Sequence, residues 1–420
     1  MPQATNLDEA YNNFTIEPLR EEKEFEEFYV PRPSMTSPID ELKDRIEKSK
    51  RPEKYLLLGF RGCGKSTELN RLTRMLNQDR FLVVNYSVQE ELDINDFDFR
   101  DFFASMALKI YDLAEKEVKL KQEIKEDFRE FMMEITHTKE EDVTKHTGVG
   151  LSFSNLILLK LGREAKSREY IRKELETKIS DLIQRLQWLI IEVVDKLRKR
   201  IVVIVDDLDK LARYPQAEGF FYQNYSLLLQ PNCFIIYTFP IPLAFNPYFE
   251  NVRHGFDDDL ILPQPPVKTK DGERVNQKNF DFYRKIAEKR ADLNLIEEQA
   301  LTEAILSTGK LSEFISIMRD AAIKAHRNKK GKITRDEVGS ALEKLRRTYD
   351  RTLNDEHITR LLEIHGKKEA RDRSIEESIS RDLLFSLTAV EYEDEEGRWC
   401  DVNPVLLPLV EEWNKKLSTR

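Results

Sequence analysis

The chain contains few cysteines and histidines. It has 3 cysteines in 420 residues, Cys63, Cys233 and Cys400, and their number is odd and their spacing wide. This pattern excludes a disulfide framework and the paired spacing of a structural zinc site. The 6 histidines form no metal-ligand spacing either. We therefore expect a protein of a reducing, cytoplasmic compartment.

Long hydrophobic runs are also absent. The most apolar stretch, Trp188–Ile191, is interrupted by charged residues within a few positions and is too short for a membrane span. The segment Met1–Asn13 is polar and acidic, unlike the apolar core of a signal peptide. We expect neither a membrane partner nor a leader sequence.

The chain has no excess of positive charge. Its 68 Lys and Arg residues against 77 Asp and Glu residues give a net charge of −9, so no global basic field favours nucleic acid. Two local basic stretches exist, Lys196–Arg200 and His326–Arg335. Such runs are typical of solvated helix ends or loops, and a nucleic-acid contact is the alternative.

A phosphate-binding motif is the most specific feature that is present. Residues Gly59–Ser66 match the pattern G-x-x-x-x-G-K-[ST]. The apolar run Tyr55–Leu58 before it predicts a buried strand, and Thr67–Leu76 after it predicts a helix. In that setting the glycine backbone wraps a phosphate at a helix N-terminus, Lys65 reaches the β- and γ-phosphates, and Ser66 is a ligand for Mg²⁺. The predicted nucleotide-binding residues are Gly59, Arg61, Gly62, Cys63, Gly64, Lys65, Ser66 and Thr67.

An acidic motif follows a second apolar run. The β-branched segment Ile201–Val205 predicts a parallel strand that is buried on both faces, and Asp206–Asp209 begins where this strand ends. Ligands of α/β sheets bind at the carboxyl ends of the strands. We therefore assign Asp206 to Mg²⁺, together with Ser66, and Asp207 to orienting or deprotonating the attacking water. A solvated acidic turn is the alternative interpretation.

Three further runs predict the remaining strands, Phe81–Val88, Cys233–Thr238 and Leu260–Pro263. Thr238 ends the second of them, where a hydroxyl group can sense the γ-phosphate or hold the water; an ordinary strand-end threonine is the alternative. Arg253 precedes the last strand. It is either an arginine finger that acts on the phosphate of a neighbouring subunit or a solvated surface arginine.

The rest of the chain divides at prolines and charged segments. We predict an N-terminal arm or linker over 1–37, a P-loop core over 38–265 and a helical lid over 266–353. A large helical insertion occupies 91–200 of the core. Within it, 147–162 predicts a hairpin or flexible loop, and the 3–4 spacing of leucines and isoleucines from Ile171 to Leu197 predicts a long helix, either packed on the core or a partner-binding coiled coil.

The last unit, 354–420, is predicted to contain helices and then two strands around an acidic turn, Glu391–Gly397. This order of elements is typical of a winged helix, in which the two strands form the wing.

With these parts in order, the chain resembles AAA+/STAND-type P-loop ATPases related to the origin-recognition ATPases. Gly59–Ser66 resembles their Walker A motif, Asp206–Asp209 their Walker B motif and Thr238 their sensor-1 position. Gly309–Arg319 resembles the lid segment that carries sensor 2, but Ser312 and Glu313 stand where Pro-Arg is expected. Arg319 is the candidate substitute for the missing arginine.

The resemblance implies an α/β fold with a P-loop parallel sheet, a helical lid and a C-terminal winged helix. It also implies ATP and Mg²⁺ as cofactors. Asp207 in place of the usual catalytic glutamate favours slow hydrolysis and a switch. We therefore expect a homo-oligomerising ATPase that regulates a separate effector protein, by resemblance in prokaryotic signalling or antiviral defence.

Two alternatives remain open. The first is a DNA-binding initiator or loader that uses the winged helix, although the net charge predicts weak DNA binding. The second is a nucleotide-bound scaffold without turnover. The sequence does not name the effector, the trigger or the number of subunits.

Overall fold

The computed structural model describes residues 2–33, 37–143, 152–211, 214–371, 379–394 and 397–418. Its centre is a five-stranded sheet in the order β2-β3-β4-β1-β5, in which every neighbouring pair is parallel. The strands are β1 (Lys54–Gly59), β2 (Phe81–Ser87), β3 (Arg200–Asp206), β4 (Phe234–Pro240) and β5 (Asp258–Ile261).

The three central strands are apolar along almost their whole length because helices cover both faces of the sheet. Every residue of β1 and β4 is buried, and in β3 only Arg200 is partly exposed. All five predicted strands are present, and the α/β fold class is confirmed.

Among the described residues, fifteen helices have seven or more residues. They are α1 (Leu7–Asn13), α2 (Glu22–Phe28), α3 (Pro38–Lys48), α4 (Lys65–Met75), α5 (Phe99–Glu117), α6 (Gln122–Thr136), α7 (Phe153–Arg163), α8 (Ala165–Leu197), α9 (Gln277–Arg290), α10 (Glu298–Leu306), α11 (Leu311–Arg327), α12 (Arg335–Asp350), α13 (Asp355–Lys367), α14 (Ile379–Phe385) and α15 (Leu407–Ser418).

Short α-helices of four or five residues lie at Val88–Glu91, Tyr214–Glu218, Tyr225–Leu228, Ile241–Ala244 and Phe249–Arg253. Short 3₁₀ turns lie at Ile94–Asp96, Leu208–Lys210, Leu293–Leu295 and Pro404–Leu406, and a π-helical turn lies at Gly219–Gln223. Across the described ranges, no helix combines the length and apolar character that crossing a membrane requires.

The insertion consists of α5 to α8. The long helix α8 is confirmed, and its apolar stripe packs on α5, α6 and α7, so the stripe is covered within this chain. The expectation of a hairpin or loop over 147–162 is wrong for 153–162, which belong to α7. Apolar side chains at helical spacing, from Phe153 to Leu161, bury one face of α7 and override the weak strand-like alternation. Residues 147–151 lie outside the described ranges.

The N-terminal segment is more than a linker. Helix α1 packs along α11, and its apolar side chains Leu7 and Ala10 join Phe14 in the hydrophobic core of the lid. Helix α2 packs against α9. The first helix of the N-terminal segment is therefore buried against helices that follow the sheet in the chain, and the second contacts them as well.

The C-terminal unit contains α13, α14, the antiparallel strands β6 (Ala389–Asp394) and β7 (Gly397–Val402), and α15. A pair of strands is present, as predicted, but the expectation of an acidic turn over Glu391–Gly397 is wrong for Glu391–Asp394 and Gly397, which belong to the strands. Tyr392 is buried opposite Trp399, and this cross-strand pair extends β6 into the acidic segment. Residues 395–396 lie outside the described ranges. The assignment as a winged helix stays a prediction. The unit docks on the core, since α14 contacts the short helix Ile241–Ala244 and Gln264 forms a bridge with Tyr392.

Candidate phosphate-binding site

The loop between β1 and α4 has the backbone of a phosphate cradle. Gly62 and Gly64 adopt φ values of 80° and 99°, a left-handed region that side chains disfavour. Gly64 is also the N-cap residue of α4, so the loop delivers the chain to a helix N-terminus. Successive N–H groups in such a turn, together with the helix dipole, favour an anion.

Lys65 is the buried cation of this loop. Its Nζ donates hydrogen bonds to the carbonyls of Gly59 at 2.7 Å and Phe60 at 2.8 Å, and it forms an ion pair with Asp209 at 2.9 Å. Burial is the largest single influence and lowers the pKa of Lys65, but the attractions of Asp209, Cys63 and Asp206 together outweigh it and raise that pKa. The lysine therefore keeps its positive charge where a phosphate would lie.

Three aspartates follow β3 at the same edge of the sheet. Asp206, Asp207 and Asp209 are buried, and each offers a carboxylate oxygen within 4.8 Å of the others. Burial and then the charges of the other two raise the pKa of Asp206, while a hydrogen bond from Ser66 opposes that shift. Ser66 and Asp206, which the sequence assigns to one metal ion, therefore lie next to each other.

The donor set fits Mg²⁺. Carboxylate and hydroxyl oxygens are the hard ligands that this ion prefers. In addition, Oδ1 of Asp209 is buried without a hydrogen-bond partner among the described residues. A buried carboxylate oxygen with no donor indicates room for a cation or its water ligands.

Asp207 lies at the edge of the cleft in a strained backbone conformation, with φ of 69°. Its Oδ2 accepts a hydrogen bond of 2.5 Å from Ser87 at the end of β2, and its Oδ1 lies 2.7 Å from Nζ of Lys210. These two contacts hold the carboxylate in one orientation. Its role in activating water stays a prediction.

Thr238, the predicted sensor, is completely buried at the end of β4. Its hydroxyl accepts the N–H of Leu208 at 2.9 Å and donates to the carbonyl of Val205 at 3.3 Å. Both partners are backbone atoms, one on each side of Asp206 and Asp207 in the chain. The side chain thus holds the turn that carries Asp206 and Asp207, and its action on a phosphate stays a prediction.

Arg61, within the loop, connects three parts of the fold. Its guanidinium donates to the carbonyls of Asp209 and Leu211, both at 2.9 Å, and stacks on the ring of Phe385 in the C-terminal unit at 4.6 Å. Burial lowers its pKa. Arg61 therefore joins the phosphate loop to the acidic motif and to α14.

Two other predicted loop residues face the interior or the arm. Cys63 is fully buried, with its sulfur 4.0 Å from Nζ of Lys65. The hydroxyl of Thr67 accepts the N–H of Leu19 at 3.2 Å, which fastens the N-terminal segment to α4.

Arg253 is not brought to the site of its own chain. It lies on the surface near the edge strand β5, with its side chain 45% exposed, and pairs with Asp259 and with Glu250 at 3.5 Å. Its proposed action on a neighbouring subunit stays a prediction.

The lid contributes a cation that the sequence analysis missed. Lys310 lines the cleft just before α11, and burial lowers its pKa despite Glu313 at 3.6 Å. Arg319, the candidate substitute for sensor 2, is instead stacked on the ring of Tyr11 at 4.5 Å and does not line the cleft. The signal available in the sequence was the lysine directly after Gly309.

The N-terminal segment forms one wall of the cleft, which has a volume of about 310 Å³. Arg32 donates to the carbonyl of Cys63 in the loop and to that of Pro263 at 2.8 Å. Tyr29 donates to Glu68 of α4 at 3.1 Å. The segment contributes eight lining residues, namely Ile16, Glu17, Pro18, Leu19, Phe28, Tyr29, Val30 and Arg32.

Fold and site together define a P-loop architecture, in which a parallel sheet presents a phosphate loop and an acidic motif at one edge. The family model of DAP3, mitochondrial ribosomal death-associated protein 3, matches residues 30–218. The matched region includes β1, the phosphate loop, β2, β3 and the acidic motif. The search of curated proteins found no match.

Solved structures of similar architecture include two proteins from Aeropyrum pernix. The ORC1 protein in complex with DNA is 13% identical, with 90% of this chain and 93% of that chain covered and a TM-score of 0.41. The ORC2 protein, in ADPNP–ADP complexes, is 12% identical, with 96% and 100% covered and a TM-score of 0.44. The Thermotoga maritima RuvB Holliday junction branch migration motor is 12% identical, with 90% and 91% covered and a TM-score of 0.33.

Proposed function

We propose that this chain is an ATP-binding and ATP-hydrolysing molecular switch. The observation that carries the proposal is the placement of Lys65, Ser66, Asp206 and Asp207 together at the carboxyl edge of the sheet, beside a helix N-terminus. A buried cation, a hydroxyl group and carboxylates around one phosphate cradle are the parts that phosphoryl transfer requires.

In this proposal the loop N–H groups and Lys65 bind the phosphates, and Ser66 and Asp206 hold Mg²⁺. The metal ion, when bound, neutralises charge on the phosphate oxygens. Asp207 orients the attacking water and accepts its proton. Ser87 and Lys210 hold Asp207 in place, and Thr238 holds the turn on which it lies.

A nucleotide-dependent change of conformation is expected because three parts of the chain line the cleft. Its lining comes from the core, the lid and the N-terminal segment, so a bound nucleotide contacts all three. Lys310 of the lid is joined through Glu313 to Asn403 of the C-terminal unit, whose amide donates to that carboxylate at 3.0 Å. A ligand that changes the position of Lys310 would therefore bias the C-terminal unit as well. We propose that such a change controls homo-oligomerisation and the recruitment of an effector protein in the cytoplasm.

The experiment compares the molar mass of the purified chain with ADP and with a non-hydrolysable ATP analogue, both with Mg²⁺. The proposal expects nucleotide binding in both cases and a larger assembly with the analogue. Binding without a change in mass would contradict the oligomerising switch and favour a scaffold. An absence of binding would overturn the nucleotide proposal itself.

A further inference from the structure

Arg290 is a buried cation of the cleft that has no counter-charge among the residues that the structure describes. Arg290, the last residue of α9, lines the cleft and is only 6% exposed. Burial lowers its pKa to about 10. No carboxylate of the described residues lies within ion-pair distance of it.

The hydrogen bonds of this guanidinium are incomplete. Nη1 reaches the carbonyls of Phe28 and Ile286 at 3.4 Å each, close to the limit for a hydrogen bond. Nε is buried and has no partner within the described part of the chain. A guanidinium carries five N–H donors, and leaving such donors unused in a buried position is costly. The geometry thus calls for a hydrogen-bond acceptor that the described residues do not supply.

The surroundings of Arg290 differ from those of the phosphate end. Lys65 and Lys310 both have carboxylate partners, whereas Arg290 lies over the ring of Phe28, with 5.3 Å between guanidinium carbon and ring centroid. Several cleft-lining side chains contributed by the N-terminal segment, α9 and α11 are apolar. They are Leu19, Phe28, Val30, Phe282, Ile286 and Ile315.

An apolar wall beside a planar guanidinium with an unused N–H donor can bind a heteroaromatic ring. Nucleotide bases present a flat face for apolar contact and ring acceptors, such as N7 of a purine, for hydrogen bonds. An arginine can contact both the face and the ring acceptors of a base, because its guanidinium is planar, stacks on rings and donates hydrogen bonds in a fixed fork.

We infer that Arg290 binds the base of the nucleotide and so determines how strongly the chain prefers a complete nucleotide to a bare polyphosphate. This inference rests on the proposed function and adds to it a residue for the base. Arg290 is a binding residue in it and takes no part in phosphate chemistry.

The test measures the affinity of the full chain for MgATP and for magnesium tripolyphosphate, in the wild type and in Arg290→Met. Methionine preserves the apolar stem and removes the donors. We expect the variant to lose at least tenfold in affinity for ATP, as for a hydrogen bond to a charged group, and less than twofold for tripolyphosphate. Arg290→Lys, which keeps the charge but lacks the fork, should give an intermediate affinity for ATP.

Arg319→Met is the matched control, since Arg319 also stacks on an aromatic ring at the interface of lid and N-terminal segment but lies outside the cleft. It should keep the wild-type affinity for both ligands. Thermal unfolding without ligand checks that each variant is folded. If Arg290→Met does not fold, the affinities of Arg290→Lys for the two ligands test the inference instead.

The outcomes are distinct. A similar loss for both ligands would assign Arg290 to the phosphates or to the support of the cleft, and no loss for either would make it structural; each overturns the inference. A wild type that binds ATP no better than tripolyphosphate would also overturn it while the proposed function stands. A wild type that binds neither ligand would overturn the proposed function.

Discussion

Nζ of Lys65 lies 2.9 Å from Oδ2 of Asp209, and the two side chains are only 4% and 3% exposed. The lysine of the phosphate loop is thus one half of a buried ion pair. Removing either partner leaves an uncompensated charge in the interior, which is typically worth about 3–5 kcal/mol. Substitutions of Lys65 therefore affect folding as well as phosphate binding.

A double-mutant cycle measures the effect on folding. Lys65→Met should lower the free energy of unfolding by about 3–5 kcal/mol, and Asp209→Asn should also lower it. The double variant should lose less than the sum, because it buries no isolated charge. Urea unfolding measures all four proteins. Strict additivity would mean that the ion pair contributes no coupling energy to folding.

ATP hydrolysis should depend on Asp207, whereas ATP binding should not. Asp207→Asn retains the hydrogen bond from Ser87 but loses the negative charge, so we expect ATP affinity within about threefold and hydrolysis reduced at least about 100-fold. The release of phosphate measures the rate of hydrolysis, and a titration with a fluorescent nucleotide measures the affinity. Ser87→Ala, which frees the carboxylate without changing its charge, should lower the rate less. Equal loss of binding and hydrolysis in Asp207→Asn would show that the residue is a metal ligand instead.

Arg253 should matter only between subunits. Its side chain is 45% exposed and does not line the cleft of its own chain, so Arg253→Ala should keep the affinity for ATP. The variant should slow hydrolysis by oligomers, since arginine fingers raise the rate of hydrolysis by about 10³–10⁵ in other P-loop proteins. Mixing Arg253→Ala with Lys65→Ala should restore part of the activity, because each supplies what the other lacks. Arg51→Ala is the control, since Arg51 pairs with Asp257 beside the same strand. Hydrolysis by Arg253→Ala at the wild-type rate would identify an ordinary surface arginine.

Binding of duplex DNA should be weak. The net charge is −9, and Lys330 in the lid is already paired with Glu337 at 2.8 Å and Asp336 at 3.5 Å. We expect a Kd of about 1 μM or weaker near physiological salt, with a steep salt dependence. A titration at two salt concentrations measures it. Tight binding that survives raised salt, and that is lost when Lys329, Lys330 and Lys332 are neutralised, would favour the initiator alternative.

The contact between phosphate loop and lid should be sensitive to one methyl group. A Cβ at Gly62 would lie 2.0 Å from Oγ of Ser312, whose own N–H donates to the Gly62 carbonyl at 3.0 Å. Gly62→Ala should therefore weaken nucleotide binding and lower the unfolding temperature. Gly62→Ala/Ser312→Gly removes the clash but keeps the strained φ, so it should recover part of both losses. Gly331→Ala, with no atom within 4 Å of the added Cβ, is the neutral control.

Local patterns in the sequence were sufficient for the sheet and the phosphate loop. Runs such as Ile201–Val205 are apolar because both faces of a parallel strand are covered, and Gly62 and Gly64 are required by the backbone at those positions. Strand, loop and helix follow one another within a few residues. The same is true of β3 and the aspartates after it, so chain order alone placed these residues at one edge of the sheet.

Contacts between distant segments were decided only by the tertiary structure. The sequence analysis predicted an arm or linker over 1–37, yet residues 16–19, 28–30 and Arg32 line one wall of the cleft. The apolar side chains of α1 are buried against α11, a contact between segments far apart in the chain. Arg319 was named from the sequence as a candidate substitute for sensor 2, but it stacks on Tyr11, while Lys310 and Arg290 line the cleft. Loop and helix signals are local, whereas the partner of a charged side chain depends on which of many distant surfaces packs against it, and that is determined only when the whole core forms.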